Sequence, residues 1–386
     1  MPRTLDRVIR WTAGAVVAFA MASVVGAQGV FESPTVAELD AADSAHWIWV
    51  NDIAFFNLAS GRAVLADADS GRVLGHLSTG VMAGKLEIPR DYSMIYSIET
   101  HYSRTTRGER TDIVAYYDPS TLSPAGEVVL PPKRHSGLTS QGFSGLTDDD
   151  RFLLVYNFTP AQSVTVVDLA GRKVVSEIRT PGCSLVYPVS GLRFGMLCGD
   201  GRMLVIRLDQ AGQEADRAFS PKFFDPAVDP VTEKGVRHGD TWSFASFQGM
   251  LHSLDVKEGS GSALEPWSLV GDAERAANWR PGGHIHLAYS GPLDRLYSVM
   301  HQGGEDTHKQ HGEEIWVYDL SHRRRVDTIH LKHHAGSIAV TGDEDPLLIA
   351  FILEESDVHV YDARSGAFQR TISGPIMATP TMVHTR

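Results

Sequence analysis

Cysteine is nearly absent. The 386 residues include two, Cys183 and Cys198, and two thiolates cannot complete a four-ligand structural zinc site without help. Also missing are a phosphate-binding loop, a G-x-G-x-x-G fingerprint after a strand, a G-x-S-x-G elbow and an H-E-x-x-H pair. Their absence removes the common signatures of nucleotide chemistry, serine hydrolysis and zinc proteolysis. Positive charge is in deficit: 35 Lys and Arg stand against 47 Asp and Glu, a formal net of −12. An acidic chain lacks the basic footprint that nucleic acid demands, so no nucleic-acid partner is expected. It can steer a cationic substrate or a partner with a basic patch. Long apolar runs are lacking too, apart from Trp11 to Val25.

That one run reads as a leader. Arg3, Arg7 and Arg10 precede it, and Val25-Gly26-Ala27 closes it with small residues, the pattern of a cleaved signal peptide. The run is short for a bilayer span, so residues 1–27 are expected to be removed and the rest exported, with no membrane insertion. Loss of the leader takes the formal charge to −14. In an oxidising compartment an even cysteine count favours a disulfide between Cys183 and Cys198, two buried free thiols being the other reading. Residues 28–45 show no strand pattern and read as an N-terminal arm.

What the chain has in quantity is one repeated phrase. Val358-His-Val-Tyr-Asp362 runs through Gly366 to Ile372: β-formers on either side of a turn, an Asp able to bond turn amides, and a Gly able to take positive φ. Ile315-Trp-Val-Tyr-Asp319, Val164-Thr-Val-Val-Asp168, Tyr116-Tyr117-Asp118 and Ala63-Val-Leu-Ala-Asp67 repeat it. Weaker copies end at Asp209 and Asp255. The marker aspartates lie 51, 50, 41, 46, 64 and 43 residues apart, the period of a four-stranded blade. Seven copies predict an all-β fold over residues 46–386: a seven-bladed β-propeller of four-stranded blades, its ring closed by the N- and C-terminal strands. The segment Ile376 to Val383 is expected to pair with the first strands, leaving no broken blade.

Insertions mark where such a ring works. Residues 101–111 form a charge-dense stretch that reads as a solvated loop tip. The longest interval holds Asp272 to Asn278, a short helix with Asp272 as its cap, and the polar loop 303–313 with His308 and His311. With Glu305 and Asp306 nearby, those histidines are the first place to look for a metal; His333-His334 is the second, weakened because adjacent strand residues face opposite sides. Neither has diagnostic spacing, so no metal, cofactor-binding or catalytic residue is assigned in this chain.

Several short segments, taken together, carry a resemblance. They are Thr105 to Asp112, Leu130 to Arg134, Cys183 with Cys198-Gly-Asp-Gly201, Pro266 to Leu269, Asn278 to Gly283, and Thr307 to Lys309 with Glu314 to Val317. They resemble the large subunits of quinoprotein amine dehydrogenases, nearer to the aromatic amine dehydrogenase large subunit than to the methylamine dehydrogenase heavy chain, over about residues 46 to 375. The resemblance implies a seven-bladed propeller paired with a small subunit in a periplasmic α2β2 assembly. It places tryptophan tryptophylquinone and the catalytic base on the small subunit, and passes electrons to a blue copper protein of the azurin or amicyanin type. It makes Cys183 and Cys198 the family's intrachain disulfide. It also matches a phenylalanine at the mouth of the substrate channel to Phe55 or Phe56. Trp279 is left between a subunit contact and the core. The segment Phe55 to Gly61 agrees with neither branch residue for residue, which leaves the amine open. The competing reading is a stand-alone periplasmic propeller that binds or scaffolds without a quinone partner; a third is a propeller hydrolase using central carboxylates and a metal.

Overall fold

The computed structural model describes residues 38–82, 84–137, 140–373 and 379–385. The expected signal peptide and most of the expected arm lie outside the described residues; of the arm's end, Ala41–His46 forms a short 3₁₀ segment. From there the chain is a ring of seven antiparallel sheets. Blade 1 holds Trp47–Asp52, Gly61–Asp67 and Val73–Gly80. Its innermost strand comes from the far end of the chain, Pro380–Thr385. Val50 lies opposite Val383 in that pairing, so the ring is closed as the sequence predicts.

Each later blade runs outward in sequence order. Blade 2 starts at Lys85–Glu87, blade 3 at Ser144–Leu146, blade 4 at Cys183–Val189, blade 5 at Val236–His238 and blade 7 at Ser337–Val340. Blade 6 opens on two short pieces, Trp279–Pro281 and Leu287–Ser290, both paired with Arg295–Gln302. Pro281 lacks an N–H for the ladder, and Gly283 sits at φ +126, so the strand is interrupted there.

The marker aspartates stand at the end of the third strand of their blades or, for Asp118 and Asp209, one residue past it, and all seven do the same job. The carboxylate accepts an amide of the turn that follows: Asp69 for Asp67 (3.0 Å), Ser120 for Asp118 (2.8 Å), Gly171 for Asp168 (2.9 Å), Ala211 for Asp209 (2.8 Å), Lys257 for Asp255 (2.9 Å), His322 for Asp319 (3.0 Å) and Ser365 for Asp362 (2.7 Å). Gly366 takes φ +69 in the last of these turns. A turn that must reverse within a few residues leaves amides without ladder partners, and a short carboxylate supplies them.

The core is seven cores. Each apolar cluster draws on two adjacent blades, one cluster per junction. Alternation along a strand explains this: Ile48 and Val50 face blade 7, while Trp47 and Trp49 face blade 2. A strand buried on both faces must be apolar at every position, which is why the marker phrase reads as an unbroken run of Val, Ile and Tyr. Each fully buried Leu, Val or Phe contributes about 1.5–3 kcal/mol.

Two local expectations need correction. Residues 101–111 are more than a solvated loop tip. The strands Ile95–Arg104 and Arg107–Tyr117 run on through them, with His101 opposite Thr111 and Tyr102 opposite Arg110. Arg104, Arg107 and Glu109 face solvent from a paired ladder, while Arg110 turns in toward Asp112. The short helix spans Asp272–Ala276, and Gly271 is its N-cap, with no side-chain capping bond.

In such a blade the first-to-second and third-to-fourth connections lie on one face of the ring. The second-to-third connections and the links between blades lie on the other. The aspartate turns occupy the first face, here the turn face. The second, the loop face, carries residues 53–60, the 104–107 hairpin tip, residues 199–202 and the 303–311 loop.

Candidate functional site

The aromatic loop is held by one buried carboxylate. Asp52 ends its strand fully buried. It accepts Nε and Nη2 of Arg62, its cross-strand partner, at 3.0 and 2.9 Å. It also accepts the Ala54 N–H at 2.9 Å and the Thr379 N–H at 2.7 Å. Ala54 is left-handed (φ 47°, ψ 57°) and Asn57 breaks the short helical segment at φ −143°. The chain is thereby turned away from the core. Phe55 and Phe56 stand 55% and 95% exposed, their rings edge to face at 5.7 Å. The Phe55 N–H donates to Thr379 Oγ1 at 3.2 Å. The two residues that the sequence singles out are therefore neighbours on one anchored loop and outside the core.

Thr381, two residues on from that contact, lines an axial chamber of about 390 Å³. This chamber is the loop-face end of the ring's central channel; Glu233, Lys234, His284, Lys309 and His311 are among its walls. Lys234 is buried and paired with Glu233 at 2.5 Å. Burial alone would raise the Glu233 carboxyl, but the adjacent ammonium takes it below the usual range. The same ammonium acts with burial on nearby imidazoles. His286 is pushed down to about 3, first by burial and then by Lys234; its Nε2 lies 3.2 Å from Thr232 Oγ1. His301 falls to about 4 through burial and Arg280, and His308 is lowered by burial and by Lys234. Beside the chamber, then, lie a buried ammonium with a half-exposed carboxylate partner and several imidazoles whose pKa values burial holds down, His311 in the chamber wall among them. At the turn-face end a second chamber, of about 500 Å³, holds the Lys85–Glu87 pair and Asp148 between Arg90 and Arg237.

The remaining residues named from the sequence fall out variously. Cys183 and Cys198 form a disulfide across the first two strands of blade 4, where they lie directly opposite. His308 stacks on Phe247 at 3.7 Å, and His311 faces Glu354 at 3.9 Å. Glu305 and Asp306 are exposed, and among the described residues these four do not converge as a ligand set. The Thr105–Asp112 and Leu130–Arg134 segments meet in one buried ion cluster. Asp112 takes both Arg110 Nε and Nη2 at 2.8 Å, Arg110 reaches the Arg134 carbonyl at 2.7 Å, and Arg134 Nε donates to Thr100 at 2.8 Å. Burial brings the Arg134 guanidinium down to about 10. The cluster roots the long blade-2 hairpin. Trp279 packs against Trp316 at 5.2 Å, at the edge of the core between blades 5 and 6.

Sequence reasoning missed the Asp52–Arg62–Thr379 anchor and the Glu233–Lys234 pair. The former joins residues more than 300 positions apart; the latter lies in a link between blades that has no pattern of its own.

The fold and this face define a class first: a seven-bladed β-propeller with a loop-decorated face. Among solved structures it is like a functionally unknown protein from Desulfotomaculum acetoxidans, with a TM-score of 0.58 at 13% identity over 88% of this chain and 98% of that one. At that identity the likeness speaks for the fold alone. Sequence comparison gives the particular family. Methylamine dehydrogenase heavy chain (MADH) matches residues 44–386. The methylamine dehydrogenase heavy chain of Paracoccus versutus is 31% identical over 89% of this chain and 80% of its own length. That of Methylorubrum extorquens is 28% identical over 88% and 82%. The chain belongs to the methylamine dehydrogenase heavy chain family.

Proposed function

We propose that this chain is the noncatalytic large subunit of a periplasmic amine dehydrogenase. The enzyme would deaminate primary amines oxidatively to aldehyde and ammonia, with a preference for aromatic amines. Family membership over residues 44–386 is the observation that carries this reading. On it, the small subunit holds tryptophan tryptophylquinone and the base in an α2β2 assembly, and electrons leave to a blue copper protein of the azurin or amicyanin type. The quinone supplies the electron sink. This chain supplies a platform and part of the route to it.

Two features of the loop face support the role. Phe56, almost fully exposed, forgoes about 1.5–3 kcal/mol of burial, and Phe55 roughly half as much, which a polypeptide seated on this face would recover. Their rings also make an apolar wall suited to an aralkyl amine. The Asp52 anchor keeps that wall in place.

Expressed alone, the chain should show neither quinone absorbance nor amine oxidation with an artificial electron acceptor. Coexpressed with the small subunit and its maturation factors, it should show both. Activity of the isolated chain would overturn the assignment. Purification from the native cell without any copurifying small chain would favour a stand-alone scaffold.

A further inference from the structure

The junction between blades 6 and 7 carries a belt of histidines and carboxylates. The outer strand of blade 6, Arg324–Ala335, is twelve residues long, and its end reads His330-Leu-Lys-His333-His334. His330 Nδ1 lies 2.8 Å from Glu314. His333 Nδ1 crosses to the next blade and lies 3.1 Å from Glu355 Oε1. On that blade Asp357 and His359 are two apart on the strand Asp357–Asp362 and so share a face. Glu355, Asp357 and His359 each bring a potential ligand atom within 4.8 Å of the other two, the one such group of three among the described residues.

His359 is what sets this cluster apart from ordinary surface charge. It is 3% exposed, and its Nδ1 has no hydrogen-bond partner. A buried imidazole nitrogen left unpaired costs about 1–3 kcal/mol and calls for a reason. The ring is held by Phe368 at 5.5 Å and Tyr361 at 6.4 Å, and the His333 ring stands 5.9 Å away. The nearest cation, Lys332, is turned onto the Phe368 ring at 4.9 Å. Burial, then His333, lowers the His359 pKa, which keeps the ring neutral and able to donate a lone pair.

We propose that Glu355, Asp357, His359 and His333 form a binding site for a divalent transition-metal ion of the zinc class, stapling blade 6 to blade 7. Two imidazoles with two carboxylates suit Zn²⁺ better than Mg²⁺ or Ca²⁺, which take oxygen ligands, and no soft sulfur is present for Cu(I). Bonds of about 2.0–2.2 Å require the ligand atoms to close up from their present spread. Glu355 is exposed and Asp357 half-buried, so their side chains have room to close on an ion.

The test uses the full chain stripped with a chelator and titrated calorimetrically with Zn²⁺. One ion per chain should bind with a dissociation constant on the order of micromolar or below, and Zn²⁺ should raise the melting temperature. His359→Gln and Asp357→Asn should each weaken binding at least about tenfold, the loss seen even for residues behind a ligand, and abolish the thermal shift. His330→Gln and His334→Gln should leave both unchanged. Should His359→Gln fold poorly, the more exposed Asp357 carries the comparison. Binding that survives both ligand variants, or is lost with His330 or His334, would overturn the site in favour of the surface belt. Binding weaker than about millimolar in the parent chain would overturn it outright.

Discussion

The two faces of the ring follow different rules. On the turn face, seven aspartates each accept an amide two or three residues on in the turn that follows, from Asp67 to Asp362. On the loop face, the corresponding connections are an exposed aromatic loop at 53–60, a long paired hairpin at 104–107 and a polar loop at 303–311. Repetition reports what the ring needs in order to exist. Variation reports what one blade does that its neighbours do not. The contrast separates residues that act through stability from residues that act through what they present to other molecules.

It can be broken most directly with phenylalanine. Phe351 is 1% exposed in the core between blades 7 and 1; Phe351→Ala should cost about 3–5 kcal/mol, read from denaturant unfolding. Next comes the anchor: Asp52→Ala strips Arg62 and two amides of a fully buried acceptor. It should cost about 2–3 kcal/mol and speed proteolysis within residues 53–60; an unchanged cleavage rate would show that the loop holds itself.

A single turn should matter less. Asp362→Ala should cost about 1 kcal/mol. The Ser365 hydroxyl, then its amide, hold the Asp362 carboxyl below the usual range. A depressed folded pKa means that this contribution is fully present above the unfolded value of about 4 and fades as pH falls through the folded value. Asp362→Asn should therefore flatten the acid limb of the stability profile, and a profile parallel to the parent's would remove the turn from it. Smallest in stability is Phe56→Ala, within about 0.5 kcal/mol, although the residue type matches the first variant. In the assembled enzyme the same change, or Phe55→Ala, should shift preference between aromatic and small aliphatic amines. Unaltered kcat/KM for every amine would take both rings out of the channel.

The same division governs what could be read before any coordinates. Blade number, ring closure and the Cys183–Cys198 bond were legible because each rests on local pattern: a period, a β-run, a pair of thiols. Phe55 and Phe56 were singled out only through resemblance, and what the structure adds is that both rings stand outside the core, which no composition rule foretells. The capping of Asp272–Ala276 was misassigned by one residue, because Asp272 suits a first helical turn as well as a cap. The 101–111 segment was misread because charge masks strand pairing whose partners lie in the same hairpin. His333 was noticed, but paired with its neighbour in sequence. Its real company, Glu355 and His359, lies on the next blade, and contacts across a junction leave no trace in spacing.

The strand Pro380–Thr385 sits innermost in the blade that Trp47 begins. Closure of the ring therefore waits on residues 380–385. A ribosome can release six blades in order, but the opening blade stays one strand short, with an edge bared to other chains, until residues 380–385 emerge. A truncation just before residue 380 would leave almost every blade residue in place and still no closed circle.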